Sequence, residues 1–400
     1  MSSWSTRKTP AGALPLAFSL CKGGNLIMDI QAHINEVWPK LHALAEPAFK
    51  EVKTAAFLAD FLRKLGYDVT ENVGNTTALT AVLDSGKPGT TVAVRTDMDC
   101  LLFKNEDGSL EPIHACGHDA HMTIALGVAK LLQEQGLACG RVKILCQPAE
   151  EIGRGALAML EAGALDDVQY ALGYHVMPKD MARSGQIIAQ INWTACTLME
   201  GEIRGLTAHG SQPHLGVNAI DAGAAIVNAI NALHSNPLLG GSIKTTRFMG
   251  GAGSLNAICD KVSIGFDLRS TLNAEMLELR RKVEEIVVNT AKVYGAEADC
   301  HIVGTCPAAE ADPSLLALTQ EVISAELGAG GLIPAANITV GEDFNFFKQE
   351  RPQLKTASLG IGCNLEPRLH DRDMHFDHSA LANAINVLTN LTQRILHEKP

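Results

Sequence analysis

The chain predicts an α/β fold in which a mixed, mostly parallel sheet with helices on both faces is interrupted by an inserted α+β domain. Three observations carry that prediction. From Met28, short apolar strands alternate with amphipathic helices, the order that packs helices over a largely parallel, buried sheet. Near Gly185 the pattern shifts to longer strands and two amphipathic helices, and near Cys306 the first alternation resumes. The length of 400 residues also exceeds what one core fills, since single cores stop growing at roughly 250–300 residues.

Residues 1–27 combine a basic start with the apolar run in "RKTPAGALPLAFSLC". Pro15 breaks that run and no small-residue cleavage site follows it, so the stretch reads as a disordered N-terminal extension rather than an export signal. Residues 30–44 and 50–65 carry helical spacing of apolar residues, and Gly66 stops the second helix. "TTALTAVL" and "TVAVRTDMD" read as strands separated by the turn "DSGKPG". A helix over 121–135 precedes the strand "RVKILCQ"; a helix over 155–161 precedes the strand "YALGYHV". Residues 28–185 thus form the first part of the main domain. Within 186–304, "GQIIAQINWTACTLMEGEIRG" reads as a long hairpin, "NAIDAGAAIVNAINAL" as a helix, "KVSIGFDLRS" as a strand and "NAEMLELRRKVEEIVVNTAKVYG" as a helix. Residues 305–400 return to the main domain and end in a helix near 380–397.

A formal net charge of −11 argues against a nucleic-acid partner, which requires a basic face. No stretch approaches the ~20 apolar residues that span a bilayer. Ten cysteines sit singly rather than in paired frameworks, which reads as reduced thiols in a cytoplasm.

Metal-seeking side chains recur where strands end. "IHACGHDAHM" packs three histidines, a cysteine and an aspartate into ten residues. Thiolate and imidazole suit zinc and its neighbours, so Cys116 and His118 read either as ligands or as a buried thiol beside a helix-start histidine. "QPAEE" follows a strand directly; Glu150 and Glu151 read either as a ligand plus a general base or as acids favoured at a helix N-terminus. His175 ends another apolar strand, "RTDMD" ends its strand in Asp97 and Asp99, and "RLHDRDMHFD" brings His370 and His375. Each is ambiguous alone. Ligands in such sheets collect at the carboxyl ends of strands, and four or five ends bearing them make coincidence a poor explanation.

"HACGHDAHM", "QPAEE", "GYHV", "AHGSQPHLGVNAIDA", "SLNAICD", "DLRS" and "GEDF" occur in that order. The set resembles the aminoacylase/carboxypeptidase-type dinuclear metallopeptidases, in the branch of auxin-conjugate amidohydrolases and bacterial N-acyl-amino-acid (hippurate-like) amidohydrolases. The resemblance implies a catalytic domain interrupted by a lid that usually dimerises, and therefore a homodimer. It also implies two divalent transition-metal ions per subunit, zinc or manganese, with nickel or cobalt as alternatives. Cys116, His118, Glu151, His175 and His370 would hold them, with Cys116 bridging, and Glu150 would be the general base. His209 resembles the lid histidine that stabilises the oxyanion, usually in the partner's site. Asn256 and Arg269 resemble positions that recognise the substrate's carboxylate side, and His214 resembles a helper of the lid loop. Absent the resemblance, His209 reads as a turn cap, Arg269 as a surface ion pair and Asn256 as a turn former. "LHALAEPAFKE" resembles the family's opening helix motif.

Two stretches depart from the family pattern. "DMDCLLFKNEDG" replaces the usual Ala-Leu-Pro after the acidic pair, with only a short loop before His114. "HDRDMHFD" replaces the Pro-aromatic pairing after the last ligand; His370 is favoured over His375 because it follows Leu369 as the motif does. The implied activity is metal-dependent hydrolysis of the amide in N-acyl or N-aroyl amino acids. A dipeptidase, or a hydrolase of another C–N bond, is the alternative from the same site.

Overall fold

The computed structural model of the protein describes residues 28–234, 239–251 and 253–397; the extension expected at residues 1–27 lies outside them. The first body opens with α1 (Ile30–His42), capped where Asp29 accepts from the Ala32 amide, and α2 (Val52–Lys64). Strands β1 (Asp68–Val73), β2 (Ala78–Asp84) and β3 (Thr91–Asp97) follow, then a small hairpin of β4 (Leu101–Lys104) and β5 (Leu110–Ile113). That hairpin is the structure of the short loop after Asp99. Next come α3 (His118–Gln135), β6 (Arg141–Gln147), α4 (Gly155–Glu161), β7 (Tyr170–Pro178), β8 (Ile187–Ile188) and β9 (Ile191–Trp193). A second body contains β10 (Ala195–Arg204), α5 (Ala219–Asn231), β11 (Gly241–Gly250), β12 (Lys261–Ser270), α6 (Asn273–Val293) and β13 (Glu297–Cys306). The chain then returns through α7 (Pro313–Leu327), β14 (Leu332–Ile333), β15 (Ala336–Ile338), α8 (Phe346–Glu350), β16 (Lys355–Leu365) and α9 (Leu381–His397).

The main sheet has eight strands in the order β1-β2-β6-β3-β7-β16-β8-β14. Pairing is parallel through β6-β3-β7-β16 and between β8 and β14, and antiparallel at β1-β2-β6 and β16-β8. Alternate residues of the central strands feed two cores. Leu79, Val92, Val94, Ile144 and Leu172 pack with α3 and α9 on one side; Ala78, Ala93, Leu145 and Ala171 pack with Met159 of α4 and with Phe346 and Phe347 of α8 on the other. Helices therefore cover both faces, and every residue of β3 is buried.

The second body is a four-stranded antiparallel sheet, β11-β12-β10-β13, with α5 and α6 packed against it around Ile226, Phe266, Leu279 and Val283. The long hairpin expected from residue 185 onward does not form. β8 joins the main sheet between β16 and β14, β9 pairs in parallel with β15, and only β10 enters the second sheet. Ile187, Ile188 and Ile191 were apolar enough for a strand, but their partners lie far away in sequence, and no two-residue turn directs local pairing. Strands β1, β11 and β13 escaped the sequence reading because their residues are largely exposed or half-exposed and carry little apolar signal. None of the described helices is long and apolar enough to cross a membrane.

Candidate metal centre

Parallel strands β6, β3 and β7 are neighbours, so their carboxyl ends share one edge of the sheet. That edge gathers Asp97 at the end of β3 and Asp99 just beyond it, Glu150 and Glu151 after β6, and His175 in β7. Cys116 and His118 arrive at the start of α3. Gly117 between them adopts φ +84°, and a Cβ there would lie 2.4 Å from Val176 Cγ2. Only glycine lets the turn approach β7 so closely. The opposite loop is shaped by Ala149, which stands at φ +54° just before the acidic pair. Glu51 accepts from the Ala149 amide at 3.0 Å, itself bonded by Thr77. Asp99 accepts from the amides of Glu150 (3.2 Å) and Glu151 (3.1 Å), so one carboxylate fixes the turn that aims both acids.

The side chains converge. Cys116 Sγ lies 3.4 Å from His175 Nε2, and His118 Nε2 lies 3.8 Å from Glu150 and 3.9 Å from Glu151. His370, at φ +61°, places Nε2 3.6 Å from Glu151 Oε2. The potential ligand atoms of Cys116, His118 and His175 lie within 4.8 Å of one another, as do those of Cys116, Glu151 and His370. Cys116 belongs to both groups. His118 Nε2 and Glu151 Oε1 are buried without a hydrogen-bond partner, a costly condition unless something fills the space between them. His375 stands apart, with Nδ1 on the Asp373 carbonyl and its backbone paired to Glu366.

The surrounding bonds select which nitrogen faces the centre. His118 Nδ1 bonds the Asp99 carbonyl at 2.9 Å, and His175 Nδ1 donates to the Val176 carbonyl at 2.7 Å, which leaves both Nε2 atoms turned inward. His121, although close to Asp97 and His118, has both nitrogens committed: Nδ1 to Asp97 and Nε2 to the Val176 amide. It is a brace rather than a ligand.

The electrostatics suit a cation. Burial, then the Glu151 charge, pushes the Cys116 thiol well above its usual value. Burial also raises Glu150, reinforced by Glu342 and Asp343, and lifts Glu151 to about 7. Burial holds His175 and His370 down, in the neutral form that offers a lone pair. A divalent cation reverses the thiol and carboxyl shifts by stabilising their anions.

One feature of the site was missed in the sequence. Arg95, fully buried inside β3, donates to Asp97 (2.7 Å), Glu342 (3.0 Å), Asp343 (3.0 Å) and Gln147 (3.0 Å). Gln147 and the Ala156 amide complete Asp343. Glu342 and Asp343 belong to "GEDF", a motif to which no role was attached. The available signal was an arginine within an otherwise apolar strand, since a buried charge demands partners.

The remaining sequence candidates lie on the second body. His209 is exposed; both the Ser211 hydroxyl (2.7 Å) and the Ser211 amide (3.1 Å) meet Nδ1, so Nδ1 accepts and Nε2 carries the proton. Asn256 sits beside it, its carbonyl accepting from Gly210 and its Oδ1 from Ser254. Arg269 is held by Asp267 through Nε and Nη2, and its Nη1 reaches the Thr339 carbonyl. His214 lies exposed in a short 3-10 turn. None of these four joins a cluster of metal-type ligands among the described residues.

Residues 93–394 match the sequence model of peptidase family M20/M25/M40. The chain belongs to that family. A thermostable carboxypeptidase of Saccharolobus solfataricus is 31% identical over 85% of this chain and 90% of its own. Indole-3-acetyl-aspartic acid hydrolase of Enterobacter agglomerans is 26% identical over 87% of this chain and 92% of its own. The crystal structure of a dinuclear metal binding peptidase of the M20 family from Bacillus subtilis shares the fold, with a TM-score of 0.78 at 24% identity over 92% of this chain and 98% of that one. Membership makes this chain a metal-dependent hydrolase of the amidohydrolase and peptidase type.

Proposed function

We propose that the protein cleaves the amide bond of N-acyl or N-aroyl amino acids by means of two divalent transition-metal ions, zinc or manganese. The observation that carries this reading is the sharing of Cys116 between two ligand clusters, with the partnerless His118 Nε2 and Glu151 Oε1 facing the same space. Cys116, His118, Glu151, His175 and His370 would hold the ions, with the cysteine common to both. A thiolate in the set favours softer ions over magnesium. When bound, such a pair polarises a carbonyl and lowers the pKa of water toward ~7.

The chain's own groups do the rest. Glu150 takes the proton of the attacking water and returns it to the departing nitrogen; its burial and acidic neighbours, which raise its proton affinity, suit both halves of that task. His209 offers Nε2–H to the oxyanion of the tetrahedral intermediate. Arg269 holds the carboxylate of the leaving amino acid, Asn256 contributes its amide Nδ2, and His214 shapes the lid loop. In this reading residues 28–194 and 307–400 form the catalytic domain, and the second body from β10 to β13 forms a lid that dimerises in a cytoplasmic enzyme; the pairing of β8 and β9 with the main body moves the lid's start from residue 186 to 195.

A panel of acylated and aroylated amino acids, dipeptides and anilines, assayed after chelation and after addition of zinc or manganese, tests the proposal. Metal-restored release of the amino acid from acyl conjugates is the expected result. Preference for dipeptides would favour the peptidase alternative, to which the carboxypeptidase relative lends weight. Full activity in chelator would sink both.

A further inference from the structure

Most described cysteines outside the metal centre are buried or bonded to backbone oxygens. Two form a pair instead. Cys196 in β10 and Cys306 at the end of β13 are Cα partners in the antiparallel register. Opposed residues in such ladders have Cα atoms about 4.5–5.5 Å apart, within the roughly 4.4–6.8 Å range of a disulfide. The two sulfurs also converge in space. A Cβ built on Gly341 would lie 2.8 Å from Cys196 Sγ and 3.6 Å from Cys306 Sγ. Both residues are only partly buried, so a small oxidant can reach them.

Their position matters as much as their proximity. β10 and β13 are the strands by which the chain enters and leaves the second body. Gly341 directly precedes Glu342 and Asp343, and the Cys306 sulfur lies 3.4 Å from a Cβ built on Gly153, just beyond the Glu150–Glu151 turn. The sulfur pair therefore rests against both loops that carry the acids of the site. The surroundings also divide the two thiols into unlike partners. A hydrogen bond from Cys306, with the Arg269 charge in support, brings the Cys196 thiol down to about 6, while the same bond and burial push Cys306 up. Arg280 braces the flanking residues, donating to Thr197 at 2.9 Å and to Thr305. A half-buried thiol of lowered pKa beside a protonated resolving thiol is the arrangement of oxidisable pairs.

We propose that Cys196 and Cys306 form a redox-active pair that closes a reversible disulfide between the two chain crossings and thereby slows turnover. The oxidant is a peroxide. Cys196 thiolate attacks the O–O bond, forming a sulfenic acid and expelling hydroxide, which takes up a proton to leave as water. The Cys306 sulfur then displaces the sulfenic hydroxyl, its own proton departing with that oxygen as a second water. Two thiols are oxidised, and one hydrogen peroxide is reduced to two waters. Drawing the sulfurs to about 2.05 Å shifts them against Gly341 and Gly153 and ties β10 to β13 beside the site.

The test treats the metal-loaded full chain with hydrogen peroxide, blocks remaining thiols with iodoacetamide and maps peptides without reduction. The expected result is a linked Cys196–Cys306 peptide, with turnover reduced about fivefold or more, as for ordinary intramolecular coupling. Dithiothreitol reverses both, and metal content stays constant. Cys306→Ser leaves a dimedone-reactive sulfenic acid on Cys196, and Cys196→Ser retains turnover under peroxide; the alanine variants serve if serine disturbs folding. No linked peptide under conditions that oxidise other thiols, or a linked peptide with unchanged turnover, overturns the proposal, as does an equal loss of turnover in both serine variants. The turnover measurement rests on the amide-hydrolysis reading, whereas the peptide map does not, so failure of one is told apart from failure of the other.

Discussion

Cys116 and Glu150 occupy the same pocket but are expected to fail differently when changed. Cys116 belongs to both ligand clusters, so Cys116→Ala should remove bound metal along with activity; elemental analysis that finds two ions per subunit retained would remove it from the ligand set. Glu150→Gln keeps the volume and the neighbouring ligands but cannot accept a proton. Its turnover should fall by about 10²–10⁴-fold, the usual contribution of a general base, at unchanged metal content. His209→Ala should lower kcat by about 10²–10³-fold, as loss of an oxyanion donor does, with the KM for substrate changing far less. Leu369 singles out His370 over His375 in the sequence, and His370 lies beside Glu151, whereas the surroundings of Arg95 were not legible, because nothing local in "TVAVRTD" reveals that Glu342 and Asp343 lie against it.

At the scale of elements, the site depends on two tight turns at the sheet's carboxyl edge. Gly117 is the more demanding. Gly117→Ala meets both a left-handed φ and Val176 at 2.4 Å, and should destabilise the protein by about 1–3 kcal/mol, read from the urea midpoint. Arg95 in β3 ties that strand to the loop before α8 and to β6. Arg95→Met would leave three carboxyl groups buried without their cation, and a cost of about 3–5 kcal/mol is expected from breaking such a cluster. An unchanged denaturation midpoint would show that the network carries no stability. Strands β6 and β12 were read from the sequence at their observed bounds because their apolar runs are bounded by polar residues, and helices α1, α2 and α3 were read to within about three residues at each end. Strands β8 and β9 were assigned to the wrong partners, since pairing between distant segments leaves no local mark.

For the whole molecule, the lid candidates and the metal candidates reside on different bodies, His209 on loops of the four-stranded sheet and Cys116 on the eight-stranded one. If His209 serves the partner's site in a symmetric dimer, two inactive variants should complement each other. Mixing equal amounts of Glu150→Gln and His209→Ala subunits and allowing exchange should restore about a quarter of wild-type activity, because half the dimers form mixed pairs with one intact site each. No recovery after verified exchange would place the histidine's action within its own chain.

Taken alone, the order of residues determined the class of fold, the interruption of an α/β unit by an α+β one and the cast of metal-seeking side chains. These are properties of local period and of residue chemistry, which a linear string records. Only the tertiary structure decided which of those side chains meet, that His121 is spent on bracing, that Arg95 gathers three carboxylates, and that Cys196 faces Cys306 across two strands. Those outcomes depend on register and on packing between segments as much as 248 residues apart, and the free energy that sets them arises only when the distant surfaces are pressed together.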